Sequence, residues 1–427
     1  MNNIFSAADI LLPKQGTDMK KWAVLACDQY TSEPDYWNKA EGIVRNSPSM
    51  LRLILPEIYL EYKDVNERVE QIHDNMRTAL DDVLTLKMHG FVYVERETQS
   101  GIRCGIVGAV DLEAYSYDKN TQPLVRPTEN TVVERIPPRL AVRRGAMIEA
   151  PHILMLIDDD KQSLIEPYEE KKKDLEMLYD TELMLGGGHI KGYAITSAED
   201  IAHITNTVQH FADKDYFACK YPNAKADAPL ALAVGDGNHS LATAKAYWEE
   251  IKPTLTVAQQ SNHPARYCLV ELVNIHSSAI NIEPIHRVLF GADEGSLLLE
   301  AAEYLSSVGA KFCPYNENLQ HFISVAKSSQ RSFSIINPPC ALATGSLDAF
   351  LSLYIKTHKE VSVDYVHDEA SVRELAAKGH IGFILPPFAK SDIFKGVLLG
   401  GVLPKKTFSM GTAPEKRYYM EARRITI

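Results

Sequence analysis

Gly235-Asp236-Gly237-Asn238-His239-Ser240 is the stretch whose residue types and spacing point most directly to chemistry. A short apolar run, Leu232-Ala233-Val234, leads into it. Good helix formers, Leu241, Ala242, Ala244, Lys245 and Ala246, follow it. A strand, a glycine turn and a helix start, in that order, aim unpaired backbone N–H groups and the positive end of a helix dipole at one spot, which suits a phosphate. Asp236 and His239 add a carboxylate and an imidazole for acid–base work, and Gly237, Asn238 and Ser240 supply the cradle. The same residues also make sense as turn geometry and capping alone. The spacing matches neither G-x-x-x-x-G-K-[ST] nor G-x-G-x-x-G, so neither a Walker loop nor a dinucleotide fingerprint is expected.

Four more polar groups lie at predicted loops. They are Asp28-Gln29-Tyr30, Thr128-Glu129 with Arg139 behind it, His286-Arg287 after Pro284, and Lys405-Lys406-Thr407 near the C-terminus. Loop ends gathered at one sheet edge are where active sites form. Asp28, Glu129 and Asp236 are candidates for a general base, and Asp236 or Glu129 for a Mg²⁺ ligand. Arg139, His286, Arg287, Lys405 and Lys406 are candidates for neutralising a polyanion. Each has a plain alternative. Asp28 can cap the helix that follows, Glu129 can pair with Arg126 or Arg139, His286 and Arg287 can end a strand, and the lysines can be an exposed basic pair. No G-x-S-x-G or H-E-x-x-H occurs, which disfavours acyl-transfer hydrolysis and zinc proteolysis.

The elements that must position these residues follow from the apolar periodicity. Strands are predicted at 22–27, 51–55, 91–96, 103–110, 152–157, 190–195, 267–275 and 381–385. Helices are predicted at 33–45, 66–87, 139–150, 297–308 and 370–378, with Ser197 capping another. Residues 213–228 read as a polar loop, and Asp158-Asp159-Asp160 as a solvated turn. The expected class is α/β (α+β), with a core over 1–290 and a C-terminal αβ extension over 291–427.

The 427 residues are 45% hydrophobic and 24% charged, with a net charge of −11. An acidic chain of this kind argues against a broad nucleic-acid interface. No apolar stretch nears the roughly 20 residues that span a bilayer. The six cysteines are scattered without a C-x-x-C pair, so neither a structural zinc nor a disulfide scaffold is expected, and reduced thiols in the cytoplasm are the simplest reading.

Taken together, these groups resemble the family called domain of unknown function 1015 (DUF1015). Its Ala-Asp-Gly-His-His-Arg-like loop is similar to Gly235–Ser240, and its Pro-Tyr-Asp-like segment to Cys27-Asp28-Gln29-Tyr30. Asn46-Ser47-Pro48 and Arg52-Leu53-Ile54-Leu55-Pro56 resemble its next motifs. Thr128-Glu129 with Arg139-Leu140, Pro284-Ile285-His286-Arg287 and Pro404-Lys405-Lys406-Thr407 complete the order. Ser240 replaces the loop arginine, Asn238 the first loop histidine and Thr128 the histidine before Glu129. The resemblance implies a core like the ParB/sulfiredoxin fold, which includes CTP-binding partition proteins and free-serine kinases. From it follows an expectation of a phosphotransferase on a small metabolite, free serine or phosphoserine first, with a nucleotide or other phosphate donor and Mg²⁺. A nucleotide-binding switch without turnover and a phosphatase are the rival expectations. The expected partner is a small phosphorylated ligand, not a membrane or a nucleic acid. The chain carries no indication of oligomeric state.

Overall fold

The computed structural model describes residues 3–427 except 119, 151, 225–227, 388 and 405. It divides into two compact units, Met1–Ile280 with Gly411–Ile427, and Asn281–Met410.

The first unit is built on a ten-stranded mixed sheet. Leu86–Thr98 and Gly101–Asp111 form its central hairpin, registered from Val92 opposite Val107 to Thr98 opposite Gly101. The runs 91–94 and 106–110 are almost wholly apolar because both faces of these strands are covered. Outward from Gly101–Asp111 come Tyr267–Asn274, Leu154–Ile157, Leu232–Asp236 and Val125–Pro127. Outward from Leu86–Thr98 come His189–Ile195 and Glu176–Glu182. The Val65–Asp82 helix buries Ile72, Met76, Ala79 and Leu80 at helical spacing.

Strand direction decides what meets at the edge that matters. Leu232–Asp236 runs parallel to Val125–Pro127 and antiparallel to Leu154–Ile157. Thr128, Asp236 and the residues just before Leu154 therefore emerge at the same end of the sheet. The C-terminal segment belongs to this unit too: Tyr418–Tyr419 pairs with Val24–Leu25, and Arg423–Arg424 with Ile148–Glu149.

The second unit has a six-stranded antiparallel sheet in the order Lys311–Pro314, Ser329–Ile336, Gln320–Ala326, Ile381–Ile384, His286–Phe290, Ser362–Val366. Leu289, Leu297, Leu305, Phe322, Phe350 and Phe383 form its core.

Several expectations need correcting. The helix expected at 139–150 ends at Arg143, with Ile148–Glu149 a strand, and the one expected at 66–87 ends at Asp82 before the strand that starts at Leu86. Residues 51–55 are not a strand. Ser49 caps a 3₁₀ turn at Met50–Arg52, and Pro56 removes the donor a ladder would need. The polar stretch 213–228 contains a helix, Lys214–Lys220, because the Asp213 side chain accepts from the N–H groups of Asp215 and Tyr216. The division falls at Ile280 rather than 290, and Gly411–Ile427 returns to the first unit because its strands pair there.

Candidate functional site

The Gly235–Ser240 turn is where the sequence pattern places it. Gly237 ends the strand with φ of 81° and is the N-cap of the Asn238–Ile251 helix. A Cβ at this position would stand 3.0 Å from Ile153 Cγ1 and 3.1 Å from Ile153 Cα. Both the left-handed backbone and the close approach to Ile153 therefore demand glycine. No side chain caps the helix, and its first intrahelical bond is Leu241 N–H to Gly237 O at 3.0 Å. The N–H groups of Asn238, His239 and Ser240 precede that bond and project from the helix start. Asn238 Oδ1 is buried and makes no hydrogen bond among the described residues.

Asp236 is already engaged. Its Oδ1 accepts from Gly237 N–H at 3.1 Å, and its Oδ2 lies 3.2 Å from Lys416 Nζ. Each of its oxygens thus has one partner, a backbone N–H and a lysine. Among the described residues no group of three or more His, Cys, Asp or Glu is placed to hold a metal. Glu129 leaves the Val125–Pro127 strand at the same sheet edge and is half-buried.

His152 enters this edge from the start of the antiparallel strand. Its Nε2 lies 3.4 Å from Asp28 Oδ2 and 3.4 Å from Ser240 Oγ. Its Nδ1 lies 2.7 Å from the Tyr419 hydroxyl, which also accepts from Cys27 N–H at 3.3 Å. Burial works against charge on both members of the Asp28–His152 pair. For Asp28 it is outweighed by the charge and hydrogen bond of His152, helped by Gln29 and Lys416, and the carboxyl is held well below its ordinary range. For His152 it is outweighed by Asp28, with Asp236 and Glu57 assisting, and the imidazole is raised. Asp28 keeps 26% of its side chain exposed and is reachable, whereas His152 is buried.

His239 has the opposite character. Burial, then Arg139 and Arg135, lower it to about 4 despite Asp28. Its Nε2 accepts from Val132 N–H at 3.3 Å. A neutral ring that accepts at Nε2 carries its proton on Nδ1, so His239 is arranged as a fixed donor and not as a group that titrates near neutrality.

Arg139 is near the site but paired. Its Nε donates to Glu57 Oε1 at 2.7 Å, and its Nη1 to Arg135 O at 2.6 Å. Thr128, buried, donates to Val234 O at 2.6 Å and ties two strands together. The first unit thus brings together Asp28, Asp236, Gly237, Asn238, His239, Ser240 and Arg139.

The other predicted cations lie in the second unit. Arg287 is fully buried. Its Nε and Nη2 donate to Asp348 at 2.9 and 2.7 Å, and its Nη1 donates to Ile285 O and Lys406 O. Four of its five N–H donors are held by these partners and the side chain is fully buried, which is a structural use. His286 Nδ1 accepts from Leu385 N–H at 3.1 Å, again a structural use. Lys406 is exposed, with Nζ 5.3 Å from the Tyr365 ring centroid. Lys405 lies outside the described residues.

Sequence reasoning missed His152, Tyr419 and Lys416. A histidine opening an otherwise apolar strand, His152-Ile153-Leu154-Met155, was a usable signal for the first. The other two carry no local signal, because only the return of the C-terminal segment brings them here.

The family model described as "Protein of unknown function (DUF1015)" matches residues 11–372, and the chain belongs to that family. No curated protein matches the chain. Among solved structures, a free serine kinase in complex with AMP is similar at 13% identity and a TM-score of 0.37, over 74% of this chain and 90% of that one. A variant of that kinase with ADP gives 12% and 0.37, over 74% and 91%. C-terminally truncated SbnI from Staphylococcus aureus gives 8% and 0.37, over 73% and 85%. At such identities and scores these likenesses assign no ligand or reaction to this chain.

Proposed function

We propose that this DUF1015 member is a phosphotransferase that moves a phosphoryl group onto the hydroxyl of a small metabolite. The observation that carries the reading is the uncapped start of the Asn238–Ile251 helix beside the Asp28–His152 pair. An anion cradle and an ionised carboxylate at one sheet edge are the two parts such a transfer needs.

The backbone N–H groups of Asn238, His239 and Ser240 hold the phosphate, and Nδ1–H of His239 adds a neutral donor. Asp28 orients the acceptor hydroxyl and takes its proton. A carboxylate of low basicity suffices, because a loose phosphoryl transition state asks little proton removal of its base. His152, cationic through Asp28, and Lys416 offset the transferred charge. His152 stands beside Ser240, the position that carries no guanidinium. Free serine is the acceptor that the family resemblance implies.

The test is ³¹P NMR of the full chain with ATP, ADP or pyrophosphate as donor and serine among a set of alcohols as acceptors. A new phosphomonoester signal is expected. Asp28→Asn and His239→Ala should each slow its appearance by about 10²-fold or more. Tight nucleotide binding with no product from any acceptor would replace this reading with a binding switch. Phosphate release from phosphoserine without an acceptor would replace it with hydrolysis.

A further inference from the structure

A cavity of about 160 Å³ lies in the first unit, and His152 and Ser240 are part of its wall. Its other surfaces come from several elements. Leu53 and Leu55 follow the 3₁₀ turn, Met76 comes from the Val65–Asp82 helix, and Val142 from the Ile136–Arg143 helix. Ile148 and Ile153 flank the approach to the sheet. The lining is therefore mainly hydrocarbon, and His152, Ser240, Thr243 and Tyr419 add hydroxyl and imidazole groups to it.

The carboxylates in the wall, Glu57 and Glu149, are not available to a ligand's cation, whereas Arg143 keeps one buried N–H, at Nε, without a partner among the described residues. Arg139 is held by Glu57. Arg143 donates to Glu149 at 2.6 Å, and Glu149 also accepts from Arg423 and from Leu269 N–H. The ammonium of a zwitterion inside this cavity would have to separate these pairs or lie against leucine and methionine, and both are unfavourable. An uncharged carbon skeleton meets neither obstacle. Apolar cavities of roughly 150 Å³ hold a benzene-sized molecule.

The geometry points to an acceptor of a particular class: a small uncharged alcohol with an apolar body of about benzene size, its hydroxyl directed at His152 and Ser240. The assignment rests on the phosphotransferase reading for the word acceptor, and on the cavity alone for the shape and polarity of the ligand. It makes free serine a poor fit, since serine offers two charges and a single methylene.

Benzyl alcohol is the probe and serine the comparator, with the full chain and ligand-observed NMR in the absence of nucleotide. Saturable binding of benzyl alcohol and none of serine is expected. Met76→Trp fills the cavity and should weaken benzyl alcohol binding by about tenfold or more. Because Met76 is buried, the milder Leu60→Phe at the half-buried wall is measured beside it, with circular dichroism as the check on folding. Binding of benzyl alcohol that survives in folded forms of both variants would overturn the assignment. So would serine binding in its place. The two readings fail separately. Phosphoryl transfer to serine without benzyl alcohol binding would remove the acceptor class and leave the phosphotransferase. Benzyl alcohol binding without transfer to any alcohol would remove the phosphotransferase and leave the cavity's ligand class.

Discussion

Asp28 and His152 each explain the other's titration, and with His239 they make three pH-dependent terms of different sign. Asp28 has a depressed carboxyl, so its contribution to stability is present above the ordinary value of about 4 and is lost as pH falls through the folded value. His152 is raised, so its contribution is complete below about pH 6.5 and is lost as pH rises through the folded value. His239 is neutral by burial. Its contribution is present above about pH 6.5 and is lost as pH falls toward its folded value of about 4. Nitrogen-15 NMR of the imidazoles should find His152 protonated and His239 neutral across the window between those limits. Asp28→Asn should move the His152 titration down by about one unit or more. A His152 that titrates alike in both proteins would remove the pair from the site. At this scale the glycine turn at Gly237 and the helix start behind it needed no more than residue types. The state of His239 depended on Arg139, Arg135 and Val132, which no local pattern reveals.

The element that does most to complete the site is Gly411–Ile427. Lys416 and Tyr419 reach Asp236 and His152 from it. Arg417 is buried between Glu271 and Glu421 at 2.7 and 2.6 Å, and Arg423 lies against Glu149 at 2.9 Å. Side chains that bring their counter-charges into a core in this way cannot leave without stranding the partners. Arg417→Met is expected to cost about 3–5 kcal/mol in urea unfolding, because Glu271 and Glu421 stay behind without their shared cation. A loss under about 1 kcal/mol would mean that water or rearrangement replaces the arginine. The periodicity that predicts the long helices is strong because one face is apolar throughout, as in Val65–Asp82. The two-residue pairings of the C-terminal segment leave no such trace.

For the molecule as a whole, the chain leaves its first unit at Ile280 and re-enters it at Gly411. The stretch between has its own sheet and its own apolar core. A fragment spanning 281–410 is therefore expected to unfold in one sigmoidal urea transition. A gradual, featureless loss of structure would show that it does not fold independently. Buried Arg287 anchors Asp348 within that unit, which is why a motif that looks like an anion clamp in sequence is structural in fact. Among the described residues no helix is long and apolar enough to cross a membrane.

By itself the sequence determined the mixed αβ class, the family, and the glycine turn at Gly237 with the helix behind it. These depend on short-range terms: apolar period, capping, and the left-handed backbone that only glycine adopts cheaply. Tertiary structure alone decided which charges meet. The antiparallel strand direction brings His152 to Asp28 and Ser240, and the returning C-terminal segment supplies Lys416 and Tyr419. Arg287 is taken up inside the second unit. A charge acts over a few ångströms in space whatever its distance along the chain, so partners more than a hundred residues apart are chosen by the fold and not by any local pattern.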